Sequence, residues 1–204
     1  MIISREWAMP NKNTFEIKPI RKFIDEEMCE GLWIDPYANR NRIANITNDL
    51  NKEYDTDYHL DALEFLKMFD DESVSGVLFD PPYSPRQVAE CYHSVGYDMN
   101  WKSTSGAFWS EQKKEISRIV RKGGKVLSFG WNSGGIGEKY GFEKVRIMLC
   151  AHGGWHNDTI CVSELKNPIT TYERITYDTN LPSPNDFGHG STYPEVRFYF
   201  EYQD

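Results

Sequence analysis

Asp80-Pro81-Pro82-Tyr83 is the segment of this chain best equipped for chemistry. The Asp80 carboxylate and the Pro81 carbonyl are both acceptors, and two acceptors side by side suit the two hydrogens of one amino group. The prolines fix φ and keep those acceptors aimed. Tyr83 adds a flat ring on which a planar group can stack, worth about 1–3 kcal/mol where that group is a nucleobase. Acid, two prolines and an aromatic in sequence therefore suit the binding and activation of an amine on a planar ring. The same four residues also serve as an ordinary way to leave a strand for a turn.

Other chemistry-bearing residues point to less. His152 and His156 are four apart, a metal-ligand spacing on a helix. Gly153-Gly154 between them reads as a hairpin turn, and no Glu follows His152, so no metal site is expected. Cys29, Cys91, Cys150 and Cys161 are scattered without a C-x-x-C pair. That pattern argues against zinc and a disulfide framework, and suits a reducing cytoplasm.

The elements around the tetrapeptide give it a setting. Gly76-Val77-Leu78-Phe79 is an apolar run ending at Asp80, as a buried parallel strand would be. Gly31–Ile34 and Ile43–Thr47 read as two earlier strands, ending at Asp35 and at Asn48-Asp49. Pro19 opens a helix through about Cys29, and a short helix spans Asp61 to about Phe69. Residues 84–108 lack a clean period and read as a long functional loop. Ser110 reads as the cap of the next helix, which runs to about Arg121 and is stopped by Gly123-Gly124. Lys125–Phe129 is a strand, and 144–151 with 158–164 form a hairpin. Residues 1–18 and 166–192 read as irregular, and Glu195–Tyr202 as a final strand.

Strands alternating with helices predict an α/β fold: a doubly wound, Rossmann-like and mainly parallel sheet, with the hairpin antiparallel at one edge. Such sheets bind ligands beyond the carboxyl ends of the strands, where strand order reverses. Asp35, Asp49 and Asp80 all fall at strand ends. The 204 residues, 39% hydrophobic and 26% charged, fit a single globular domain. No apolar run approaches the roughly 18–20 residues of a membrane span, and the amino terminus lacks a signal-peptide core.

Asp80-Pro81-Pro82-Tyr83, with Leu32-Trp33-Ile34-Asp35-Pro36-Tyr37-Ala38 before it, resembles the S-adenosylmethionine-dependent amino-methyltransferases that methylate N6 of adenine. The likeness spans about residues 31–165, and in size it is to the compact, stand-alone methylases of bacteriophages and mobile elements. It implies S-adenosylmethionine as cofactor, DNA as substrate, and catalysis by Asp80, Pro81, Pro82 and Tyr83. Asp35, Pro36, Tyr37 and Ala38 match the turn beneath the cofactor's methionine part. Asp49 matches the acid that binds the ribose hydroxyls, and Asp61-Ala62 the segment near the cofactor's adenine. Ile17-Lys18-Pro19-Ile20 resembles the family's amino-terminal segment, which makes Phe15 and Lys18 cofactor-side candidates. Arg86, Tyr92, Tyr97 and Trp101 from the 84–108 segment, and Trp131 after the next strand, are candidates to line the channel for the target base.

Two departures stand out. Asn39 replaces the family's glycine, and asparagine is among the non-glycine residues that best tolerate a left-handed backbone. Too few residues follow Tyr37 for the dozen or so of a helical parallel crossover, so the first helix is missing or one turn long, or the second strand lies elsewhere than Ile43–Thr47. The net charge of −8 also predicts weak binding to DNA without a second copy or an accessory subunit. The basic sequences 18–22 and 113–125 are either phosphate-facing or simply solvated. Two other readings stay open: a degenerate methyltransferase fold that only binds nucleic acid or protein, and methylation of RNA or of another planar amine.

Overall fold

The computed structural model describes residues 1–96, 106–154 and 156–167. Four strands carry the site. They are β2 (Trp33–Asp35), β3 (Ile46–Thr47), β4 (Val74–Phe79) and β5 (Val120–Gly130), all mutually parallel through β3-β2-β4-β5. Every residue of β2 and β4 is buried, as a strand covered on both faces requires. Trp33 lies opposite Gly76 across the β2–β4 pair, and a Cβ at position 76 would come 2.5 Å from the indole. Only glycine leaves room for that ring.

The sheet continues as β5-β7-β6-β1, with β6 spanning Phe142–Ala151, β7 Thr159–Lys166 and β1 Ile2–Trp7. β7 is antiparallel to both neighbours, pairing Leu127 with Ser163 and Met148 with Cys161. β1 runs parallel to β6, from Ile2↔Arg146 to Trp7↔Ala151. All strands but β7 therefore point the same way, and their carboxyl ends share one edge.

Alternation along β4 distributes its side chains between two cores. Leu78 joins Trp33, Leu127 and Phe129 under α1 (Lys18–Glu27), whose Ile20, Phe23 and Ile24 face the sheet. Val77 and Phe79 join Ile34 and Val126 on the opposite face, beneath α2 (Ala62–Lys67) and α4 (Gly106–Ile119). Glu27 ties α1 to the sheet through Lys125 at 2.9 Å, Arg146 at 3.1 Å and Ser163 at 2.8 Å.

Several sequence-based expectations are corrected. Residues 1–18 are not irregular throughout, because β1 occupies the sheet edge that the hairpin was expected to hold; β7 is interior. The 84–108 segment is not one loop. α3 spans Pro85–Ser94, with the Ser84 hydroxyl accepting from Gln87 N at 3.2 Å. Its helical period is masked in sequence because Val88 is its one fully buried residue. Ser110 lies inside α4 rather than capping it. Gly123-Gly124 belongs to β5, where the register slips between Val74↔Val120 and Gly76↔Lys125; a Cβ at 124 would stand 2.8 Å from the Ser75 carbonyl. The predicted final strand at 195–202, and residues 168–192 of the preceding loop, lie outside the described residues, as do Tyr97 and Trp101.

The shortened first crossover is present as such. β2 and β3 are joined at 36–45 by turns, without a helix, and held by Ala38 N to Asn48 O and Asn45 N to Trp33 O, both 2.9 Å. Asn39 takes a left-handed φ of 52°, so the turn survives without glycine there. β3 contributes just two residues to the sheet, which is why so short a connection suffices.

Candidate active site

The chain passes outward from β2 to β3, then returns to the other side of β2 as β4. The strand order thus reverses between β2 and β4, and a cavity of about 490 Å³ opens there at the carboxyl edge. Its walls come from four places: the Thr14–Glu16 turn with Phe15, the Pro36-Tyr37-Ala38 turn, the loop from Asp49 to Leu60, and Asp80–Tyr83 with α3 behind it. Two segments far apart in sequence, 36–38 and 80–83, face one volume.

The tetrapeptide is held from several sides. Tyr83 Oη donates to Asp80 Oδ1, and Tyr83 N donates to Gln87 Oε1 at 2.8 Å. Trp109 Nε1, from α4, donates to the Pro82 carbonyl at 3.1 Å. The Tyr83 ring leans on Trp131, centroids 5.3 Å apart at 58°. Burial pushes the Asp80 carboxyl above its ordinary range, opposed by the hydrogen bond from the Tyr83 hydroxyl and by the nearby Thr14 hydroxyl. The Tyr83 phenol is pushed up by burial and by the neighbouring carboxylate, so it stays a donor.

On the other wall, Asp49 accepts from Asn39 N through Oδ2 and from Asn51 N through Oδ1, each at 2.9 Å. Two lone pairs remain on that carboxylate, which borders the cavity. Asp35 does not reach the cavity. It is fully buried beneath the turn, where Oδ1 accepts from Tyr37 N at 2.9 Å and Oδ2 from Asn41 Nδ2 at 3.3 Å. Burial raises its pKa to about 8, opposed by those two bonds and supported by the charges of Asp80 and Asp49. Asp35 therefore shapes the turn from below, and Pro36, Tyr37 and Ala38 present it.

The remaining candidates divide. Phe15 borders the cavity and packs on Phe129, centroids 4.7 Å apart. Ala62 also borders it, whereas Asp61 caps α2 through Leu63 N at 2.9 Å and takes a hydrogen bond from Tyr92 Oη. Tyr92 borders the cavity as well, with its hydroxyl turned to the Asp61-Ala62 corner. Lys18 is exposed on α1 and away from the cavity. Arg86 is exposed and paired with Glu90 at 2.7 Å. Trp131, 43% exposed, touches Tyr83 from outside the cavity. In the basic 113–125 stretch, Lys113 binds the Gly135 carbonyl and Arg118 binds Asp71, Glu115 and the Phe69 carbonyl, so these two serve the fold. His152 bridges the Ala8 carbonyl at 2.8 Å and Thr159 Oγ1 at 2.9 Å, which is a structural role.

Sequence reasoning missed three residues that build the site. Buried Asn48 joins two parts of the cavity wall: its Nδ2 donates to the Pro36 and Leu60 carbonyls at 3.1 and 3.0 Å, and its Oδ1 accepts from Leu60 N at 2.9 Å. Its place at a strand end was the available signal. Thr14 and Gln87 gave none, since the first sits in a 3-10 turn and the second in the unrecognised α3.

No protein-family model matches the chain, and no curated protein matches it. Solved structures do. The N-methyltransferase NodS from Bradyrhizobium japonicum WM9 superposes with a TM-score of 0.50 at 9% identity, over 77% of this chain and 99% of that one. TrmN from Thermus thermophilus gives 0.50 at 12% identity, over 74% of this chain and 49% of that one; this chain thus spans about half the length of TrmN. Identities so low speak for the backbone alone, and with the observed strand order they show that the chain has the Rossmann-like methyltransferase fold.

Proposed function

We propose that the protein transfers a methyl group from S-adenosylmethionine to the N6 amino group of adenine in DNA. The observation that carries this reading is the shared cavity, in which Asp80–Tyr83 faces the Pro36–Ala38 turn across the sheet's reversal point.

The residues present fit the cofactor. About 490 Å³ is an ordinary ligand volume. Ala38, fully buried, keeps the floor of the turn thin. Asp49 offers a carboxylate with spare lone pairs, suited to a vicinal diol. Asp49 and Asp80, both acidic and both on the cavity wall, suit a ligand carrying a cationic centre. When bound, S-adenosylmethionine supplies an electrophilic methyl group on a sulfonium.

The chain's own part is to prepare the amine. Adenine N6 is a poor nucleophile because its lone pair is delocalised into the ring. Asp80 and the Pro81 carbonyl, accepting its two hydrogens, draw the nitrogen toward a tetrahedral shape and restore that lone pair. Tyr83 holds Asp80 in place through its hydroxyl and offers its ring to the base. The carboxylate, its proton affinity raised by burial, would be placed to take the proton that N6 sheds on gaining the methyl group. Positioning and fixed dipoles supply most of the rate. A duplex substrate must present its base flipped out of the stack.

With a net charge of −8, the chain alone holds DNA weakly, and a second copy or an accessory subunit supplies the missing phosphate contacts. Calorimetric titration with S-adenosylhomocysteine tests the cofactor half, and absence of heat at near-millimolar ligand overturns it. Tritiated-methyl incorporation into unmethylated DNA, with RNA and protein competitors, tests the acceptor half.

A further inference from the structure

We infer that Gln87 is a specificity-determining residue that reads the acceptor base, donating from its side-chain amide to a ring nitrogen beside the target amino group. This rests on the reading of Asp80 given above and names the class of acceptor it selects.

The geometry begins with Tyr83 N, a backbone donor at the end of the tetrapeptide. It donates to the Gln87 side chain at 2.8 Å, and only an oxygen can accept from it. That settles which end of the amide faces Tyr83. Oε1 is committed, and both hydrogens of Nε2 remain on a residue that borders the same cavity as Asp80, Pro82 and Tyr83. Among the described residues, Nε2 meets no acceptor.

The position of Gln87 is not accidental to the fold. Ser84 accepts from Gln87 N at 3.2 Å and Pro85 opens the helix, so the first turn of α3 is fixed directly to the tetrapeptide. Gln87 then closes a ring of three supports around Tyr83, with the Asp80 carboxylate and Trp131 as the others. A donor with two hydrogens is thereby held on the wall of the cavity that the Asp80 carboxylate also lines.

That pair is complementary to an amine flanked by a ring acceptor. Adenine offers this through its N1=C6–NH2 edge, and N7, one carbon further from the amine, is a second acceptor on its other side. A base carrying a carbonyl in place of the amine presents an acceptor to Asp80 and is repelled. A base with the amine but no adjacent ring acceptor leaves the Gln87 donor unpaired in a partly desolvated site, which is how polar sites reject close analogues.

The test pairs variants with modified substrates. Gln87→Glu keeps an oxygen for Tyr83 N but replaces the donor with an acceptor; Gln87→Met removes the donor, and the oxygen that Tyr83 N uses with it, without adding charge near Asp80. Oligonucleotides carry adenine, 1-deazaadenine or 7-deazaadenine at the target. Each variant is expected to lower kcat/KM on adenine about tenfold or more. One deaza analogue should lower the wild-type value by a similar factor, with neither variant lowering it further. Losses of equal size on all three substrates, or no loss at all, would overturn the assignment. Titration of each variant with S-adenosylhomocysteine should match the wild type. Failure of the wild type itself to methylate adenine overturns the reading of the whole site, a result distinct from a wild type that methylates with Gln87 uncoupled.

Discussion

Asp80 is asked to do two things that pull in opposite directions. In the proposed reaction it must be ionised to accept from the amine, yet burial favours its neutral form, and the Tyr83 and Thr14 hydroxyls act against that burial. Because the carboxylate is the working form and its pKa lies above the ordinary 3.8, methyl transfer should fail on the acid side at a higher pH than an exposed aspartate would give. A pH–rate profile under single-turnover conditions checks this, and a limb at or below the usual aspartate value contradicts it. Asp80→Ala should remove at least about a thousandfold of the rate while leaving S-adenosylhomocysteine affinity within a few-fold, since it deletes groups made for the transition state. If Asp49 holds the ribose as proposed, Asp49→Ala should do the reverse, weakening the same ligand about 10–100-fold through loss of charge-assisted hydrogen bonds. Calorimetry separates the two.

At the scale of elements, the turn after β2 depends on groups that never touch the cavity. Asp35 holds its proton up to about pH 8 in the folded chain and releases it near 3.8 when unfolded. Between those values the folded state binds more protons, so this group's contribution is fully present below about pH 4 and is lost as pH rises through about 8. Thermal melts between pH 6 and 9 should show stability falling with pH, and Asp35→Asn should flatten that slope. An unchanged slope would refute the assignment. Asn48 makes three hydrogen bonds that join the turn to the entry of α2. Asn48→Ala should cost about 2–4 kcal/mol in denaturant unfolding, because several buried partners lose their mates at once.

For the molecule as a whole, the sheet's two covered faces set the stability and its carboxyl edge sets the chemistry. Glu27 is the polar joint between α1 and the sheet. Burial pushes its pKa up, but hydrogen bonds from Lys125, Ser163 and Arg146 outweigh that and hold it below the usual value. The contribution of such a lowered group is present above its unfolded pKa and lost as pH falls. Glu27→Ala should therefore destabilise the fold by about 2–4 kcal/mol at neutral pH, with a smaller difference in acid, and leave ligand affinity unchanged. Acidic charge over the whole chain predicts a shallow salt dependence of DNA binding, since few phosphates are neutralised. A steep dependence, measured by fluorescence anisotropy across salt concentrations, would show a basic surface not evident in the net charge.

What could be read along the chain was what depends on neighbours in sequence. The apolar run ending in Asp80-Pro81-Pro82-Tyr83, the Asp35-Pro36 turn and the proline-led α1 each announce themselves through local residue types, and together they implied a doubly wound sheet. The rest required the chain to be folded. β1 is mostly exposed, so no burial pattern marks it, and it is a strand because β6 lies alongside. α3 has one fully buried residue and hence no apolar period. The part Asn48 plays arises from partners twelve residues away on either side of it, which chain order alone does not supply. Asp35 and Asp49 look alike as acids at strand ends, yet one is sealed under a turn and the other opens onto the cavity. Burial is a property of the packed molecule, and it alone separates an acid that shapes the site from one that can bind in it.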